Sequence, residues 1–172
     1  MANQYDSKTV RLKNGRLLGY ADYGDPAGQP IFYFHGFPGS RLEAANFDET
    51  AQASHYRLIG IDRPGMGLST SDPNRTLLSQ VDDVVCFADA LNIDTFSIIG
   101  HSGGAPFVAA CAYQIPHRLK GIAIVSGMAP LDNPEAKKRM PISRKSSRRG
   151  LASQWHSVKH ITPFLHYYLT IC

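Results

Sequence analysis

The chain is short of cysteine and has no long apolar run. Three cysteines, Cys86, Cys111 and Cys172, stand far apart among 172 residues. An odd, scattered set forms no zinc spacing and suggests no disulfide framework. Cys86 and Cys111 lie in apolar, helix-like surroundings, which marks them as small core residues. No apolar stretch approaches the roughly 18 residues needed to cross a membrane. The polar start, Met1 to Asp6, has neither the basic beginning nor the apolar centre of a signal peptide. These absences set the expectation of a cytoplasmic protein with no membrane partner. Carboxylate clusters, CxxC pairs and GxxxxGK[ST] loops are also missing, as are internal repeats and low-complexity segments.

What is present is ordinary globular material: 43% hydrophobic and 19% charged residues, with enough length for one real core. The charge is unevenly spread. Residues 1–133 carry 10 Lys/Arg against 13 Asp/Glu, and residues 134–172 carry 8 against 1. The overall +4 therefore belongs to the tail. A basic tail can meet nucleic acid or an anionic membrane. Here the clusters Lys137-Lys138-Arg139 and Arg144 to Arg149 lack interleaved aromatics, so a solvated helical surface is expected and no nucleic-acid partner.

Along the chain, buried strands alternate with helices. Val10 to Leu12 and Leu17 to Tyr23 flank Asn14-Gly15, a two-residue hairpin signal. Pro30 to Phe34 is continuously apolar, as in a strand covered on both faces. Arg41 to Ser54 reads as helix and Tyr56 to Ile61 as strand. Val81, Val84, Val85, Ala88 and Leu91 mark an amphipathic helix over Leu77 to Leu91. Thr95 to Ile99 is a strand, Ala105 to Gln114 a helix and Leu119 to Val125 a further strand. The pattern predicts an α/β fold, a mostly parallel sheet flanked by helices with an N-terminal hairpin. Chemistry in such folds sits on loops beyond the carboxyl ends of the strands. Three loops qualify: His35-Gly36-Phe37-Pro38, Asp62-Arg63-Pro64-Gly65, and the turn at Ser102.

Gly100-His101-Ser102-Gly103-Gly104 fits G-x-S-x-G between a strand and a helix, the context of a nucleophile elbow. A serine hydroxyl is a weak nucleophile and needs a base, a group to orient that base, and donors for the oxyanion. The Gly103 N–H is one candidate donor. The second is the N–H of Phe37, since Pro38 has none. His35 is expected to brace its loop, Asp62 and Arg63 to brace theirs as a pair, and His101 to pack or face substrate.

With these motifs the chain resembles the first part of an α/β-hydrolase superfamily member of the serine-nucleophile branch. His35 to Ser40 matches the HGxPG-type oxyanion loop, Asp62 to Ser69 the D-x-x-G-x-G-x-S loop and Gly100 to Gly104 the elbow. The resemblance covers roughly residues 8–130. It implies Ser102 as nucleophile, Phe37 and Gly103 as oxyanion hole, a cis Phe37–Pro38 bond, and neither cofactor nor metal. A serine at the elbow argues against the dehalogenase and epoxide-hydrolase branches, which use aspartate there. In the family the acid and then the histidine follow later strands. The resemblance therefore implies an incomplete fold lacking the last two strands, with residues 1–130 as core and 131–172 as a partial, basic, cap-like tail. Asp132 with His156, His160 or His166 keeps the Ser, Asp, His order and is the tail's substitute acid and base. The other reading of these four is a turn aspartate and cap histidines.

The expected activity is hydrolysis of a small-molecule ester, less readily an amide, through an acyl-serine intermediate. Weak or absent activity is expected of the chain as given. The alternatives are a non-catalytic, truncated binding module, or a lyase or acyltransferase on the same fold. Natural substrate and oligomeric state stay open.

Overall fold

The computed structural model describes residues 7–127. Six strands form one sheet: β1 (Lys8–Arg11), β2 (Leu17–Gly24), β3 (Gln29–Phe34), β4 (Tyr56–Ile61), β5 (Phe96–His101) and β6 (Leu119–Val125). Their order is β1-β2-β4-β3-β5-β6. The β1–β2 and β2–β4 pairs are antiparallel. The β3–β4, β3–β5 and β5–β6 pairs are parallel, as the alternating pattern predicts.

Three α-helices flank the sheet: α1 (Asp48–Ala53), α2 (Leu77–Ala90) and α3 (Ala105–Gln114). Thr76 caps α2 through a reciprocal box. Its hydroxyl accepts from the Ser79 N–H at 3.0 Å, and the Ser79 hydroxyl accepts from the Thr76 N–H at 2.9 Å. The box satisfies two backbone donors that a helix start otherwise leaves unpaired. Behind it, Val81, Val84, Phe87 and Ala88 are buried at helical spacing. Phe87 meets Phe32 of β3, which stacks on Phe96 of β5 with ring centroids 4.2 Å apart. This larger core, which also takes in Val108 and Cys111 of α3, lies on one face of the sheet. A smaller one, Ala21, Tyr23, Tyr33, Ala44, Ala51 and Leu58, lies on the other. Cys111 is buried and Cys86 half-buried, in agreement with a packing role.

Two local expectations need adjustment. The hairpin closes over a wider loop than Asn14-Gly15 suggests. Leu12 N–H donates to the Arg16 carbonyl and Gly15 N–H to the Leu12 carbonyl. The tight two-residue turn needs positive φ at both central residues, and here only Gly15 has it, at +83°. Leu12 is thereby drawn into the core. The stretch after Ser40 is not one helix but a 3-10 segment, Arg41–Phe47, followed by α1. The Asn46 side-chain amide donates to the Glu43 carbonyl at 3.1 Å. Such a local side-chain bond competes with the α-helical ladder.

Candidate active site

Strand β5 runs into α3 through a 3-10 turn, Ser102–Gly104. Ser102 sits there in the left-handed region, at φ +48°. A non-glycine residue held so costs on the order of 1–3 kcal/mol and persists only where its surroundings over-determine it. Two glycines let the chain close this tightly. A β-carbon on Gly100 would lie 2.6 Å from Val108 Cγ2, and one on Gly104 would overlap the Phe34 carbonyl oxygen. Pro106 occupies the first turn of α3, where its missing N–H has no helical partner to lose.

The β3 loop reaches the same place. Phe34 of β3 is in register with Gly100 of β5, so the residues following each strand emerge side by side. A β-carbon on Gly103 would stand 3.4 Å from the Phe37 nitrogen. The Phe37–Pro38 bond is cis. Elbow and β3 loop thus meet at Phe37 and Gly103. Among the described residues, no side chain hydrogen-bonds the Ser102 hydroxyl. Asp132, His156, His160 and His166 lie outside the described residues.

A carboxylate unnoticed in the sequence ties the two segments together. Glu43 Oε2 accepts from the Gly36 N–H at 3.0 Å, and Oε1 from the Tyr33 hydroxyl at 2.8 Å. Its Oε1 also lies 2.5 Å from His101 Nδ1. Burial opposes ionisation of Glu43, but the bonds from Tyr33, His101 and Gly36 outweigh it and hold its carboxyl below the usual range. Burial and then the facing carboxylate push the Tyr33 phenol up. His101 therefore braces through Glu43. The only hint in the sequence is an acidic residue in the first turn after a Ser cap.

His35 is fully buried and braces its loop as expected. Its Nε2 takes the Arg63 backbone N–H at 3.5 Å. That assigns the ring proton to Nδ1, which donates to the Gly36 carbonyl at 2.8 Å. Burial first, and then the charge of Arg63, lower the imidazole pKa to about 4.

Asp62 and Arg63 both brace, but not with each other. Asp62 accepts from the Arg41 N–H at 2.7 Å, from Arg41 Nη1 at 2.9 Å and from the Leu68 N–H at 2.8 Å. Arg63 turns the other way. Its Nη2 donates to the Gly36 carbonyl at 2.7 Å and its Nη1 to the Gly103 carbonyl at 3.3 Å.

A cleft of about 530 Å³ opens on the sheet face beside α1, lined by Ile31, Phe47, Tyr56, Ile99 and Val125 together with Glu43 and His101. Ser102, Phe37 and Gly103 are not among its walls.

A family profile described as the alpha/beta hydrolase fold matches residues 29–169. The chain belongs to the alpha/beta hydrolase fold family. The (E)-2-((N-methylformamido)methylene)succinate hydrolase of Acinetobacter baylyi is 30% identical to this alpha/beta hydrolase chain over 123 residues, 71% of this chain and 46% of the relative. A meta-cleavage product hydrolase of Pseudomonas fluorescens superposes with a TM-score of 0.56 at 30% identity, covering 70% of this chain and 44% of that one. A thermophilic esterase of Thermogutta terrifontis gives 0.63 at 25% identity, covering 83% and 54%. This alpha/beta hydrolase chain thus spans about half the length of these relatives, which are hydrolases on the same fold.

Proposed function

We propose that Ser102 is the nucleophile of a hydrolase that opens a small-molecule ester, less readily an amide, through an acyl-serine intermediate. The observation that carries this reading is the left-handed Ser102 at a strand-to-helix turn, with the Phe37 and Gly103 amides beside it. On this reading the Ser102 oxygen adds to the substrate carbonyl and its proton passes to a base. The carbonyl oxygen, now an anion, accepts from the Phe37 and Gly103 N–H groups. Collapse expels the alcohol with a proton from that base, and water repeats the sequence on the acyl-serine.

The base has no candidate at the serine among residues 7–127, because His101 is engaged by Glu43 and His35 is buried in its loop. Asp132 with His156, His160 or His166 is the set this chain offers. Residues 1–130 act as the catalytic core in this reading, and residues 131–172 as a cap that shapes the substrate pocket.

Labelling with a fluorophosphonate tests the proposal. Ser102 is expected to be modified, and Ser102→Ala to abolish the signal. An unlabelled wild-type chain defeats the reading and favours a binding module. Without an acid and base the rate is expected to fall about 10⁴–10⁶ below that of a full triad. Slow labelling that is unchanged by Asp132→Asn or by single His→Ala replacements leaves the tail out of the chemistry. A further loss in one of these variants assigns the partner. Turnover of a p-nitrophenyl ester with and without an added alcohol or thiol separates hydrolysis from acyl transfer.

A further inference from the structure

Arg63 is a buried cation, 4% exposed, and no carboxylate lies within ion-pairing distance of it among the described residues. A buried charge without a partner is expensive. Its neighbour Asp62 does not relieve it, being taken by Arg41. What holds Arg63 is the two loops that meet at the elbow. One arm donates to the Gly36 carbonyl and the other to the Gly103 carbonyl. Its guanidinium lies 5.5 Å from the centroid of Phe107 of α3, and its Nε is buried without a partner.

The chemistry of the peptide unit gives this placement a consequence. The Gly36 carbonyl and the Phe37 N–H belong to one amide. A cation donating to the carbonyl draws electron density from the nitrogen, so the N–H at the other end becomes a stronger donor. His35 Nδ1 donates to the same carbonyl at 2.8 Å, so the amide is polarised twice. Glu43 fixes the preceding amide through the Gly36 N–H.

We propose that Arg63 is a positioning residue of the anion cradle: its guanidinium holds and polarises the Gly36–Phe37 amide and places an unpaired positive charge behind the site where the substrate oxyanion forms. The proposal rests on the reading of Ser102 as nucleophile. Arg63 does not touch substrate and acts through the Phe37 N–H. In the free protein the Glu43 carboxylate offsets this charge only from a distance, and negative charge developing on the far side of that amide complements it further. Arg63 therefore favours the tetrahedral stage over the bound substrate.

Two measurements on the full chain test this. The first is the time course of fluorophosphonate labelling at several probe concentrations, which separates the limiting rate from the apparent binding constant. Loss of one oxyanion donor costs on the order of 10²–10³ in rate. Arg63→Met is accordingly expected to lower the limiting rate about 100-fold, with the binding constant within about 2-fold of wild type. Arg63→Lys, which returns the charge without the two-armed fork, is expected to recover to within about 10-fold of wild type. The second is the Phe37 amide proton resonance, expected to move upfield in Arg63→Met and by less in Arg63→Lys.

A folded Arg63→Met protein that labels at the wild-type rate overturns the proposal. So does a loss confined to the binding constant, or a Phe37 resonance that stays in place. If Arg63→Met fails to fold, Arg63→Lys decides by the Phe37 resonance, and a resonance that stays at its wild-type position overturns the proposal. A wild-type Ser102 that takes no label defeats the hydrolase reading, whereas the Phe37 resonance still decides whether Arg63 acts on that amide.

Discussion

Single residues at the elbow are held in unfavourable states. Ser102→Gly removes the steric conflict at φ +48° and is expected to raise stability by about 0.5–1 kcal/mol while abolishing labelling. Urea unfolding of the two proteins measures the difference. Gly104→Ala acts in the opposite sense, since its β-carbon meets backbone, the Phe34 carbonyl oxygen, and not a side chain that can swing away. A loss of more than about 2 kcal/mol is expected. His35 supplies the pH dependence. Its folded pKa of about 4 lies below the ordinary value near 6.5. Above pH 6.5 both folded and unfolded chains hold it neutral. Between pH 6.5 and 4 only the unfolded chain takes the proton, so stability falls through that window by about 3 kcal/mol and then levels with respect to this group. An NMR titration is expected to show the His35 ring resonance still unmoved at pH 5.5. A midpoint near 6.5 would contradict the buried, neutral assignment.

Among the elements, α2 is the one whose face and length are both readable in sequence, because its apolar residues keep a helical period, while its Thr76 cap emerges from the structure. Thr76→Ala breaks its box and is expected to cost about 1 kcal/mol. Phe87→Ala, which empties a contact with Phe32 and Tyr20, is expected to cost about 3–5 kcal/mol. Thermal unfolding of the pair ranks cap against core. The strands and the three motif loops were equally legible, since continuous apolar runs and Gly-Pro turns are local signals. The wiring of the site was not. Glu43 reaches His101 across a distance in sequence that no periodicity spans. Asp62 and Arg63 stand next to each other in the chain, yet their side chains serve different loops. Adjacent residues in extended chain point apart, so sequence neighbourhood suggests a pairing that geometry forbids. The acid and base that the proposed reaction needs have no geometry to assign them, since Asp132, His156, His160 and His166 lie beyond the described residues.

Across the whole molecule, the two faces of the sheet are unequal within residues 7–127. One is covered by α2 and α3. On the other, α1 and the 3-10 segment cover β2 and β4, while Ile99 is only half-buried and Val125 is 51% exposed. Parallel sheets are normally covered on both faces. A polypeptide of residues 7–127 alone is therefore expected to bind a hydrophobic dye and to scatter more light as its concentration rises. Val125→Lys on the rim of that face is expected to reduce both without lowering the unfolding temperature. Equal dye binding by the short and the full polypeptides would indicate that the remaining residues do not cover this face. None of the described helices is long and apolar enough to cross a membrane.

The strand order has a kinetic consequence. β3 and β5 are neighbours in space, but β4 and α2 lie between them in the chain. Phe37 and Gly103 come together only after that long loop has closed, which is an entropically slow step. The N-terminal hairpin, by contrast, closes over a few residues. During folding, the hairpin is thus expected to form well before the anion cradle exists. On the proposed reading of Ser102, a partly folded chain carries it as an ordinary hydroxyl, and its reactivity is expected to be a late reporter of native β3–β5 pairing. Pulse labelling of Ser102 during refolding, compared with amide protection in β1 and β2, would time the two events separately.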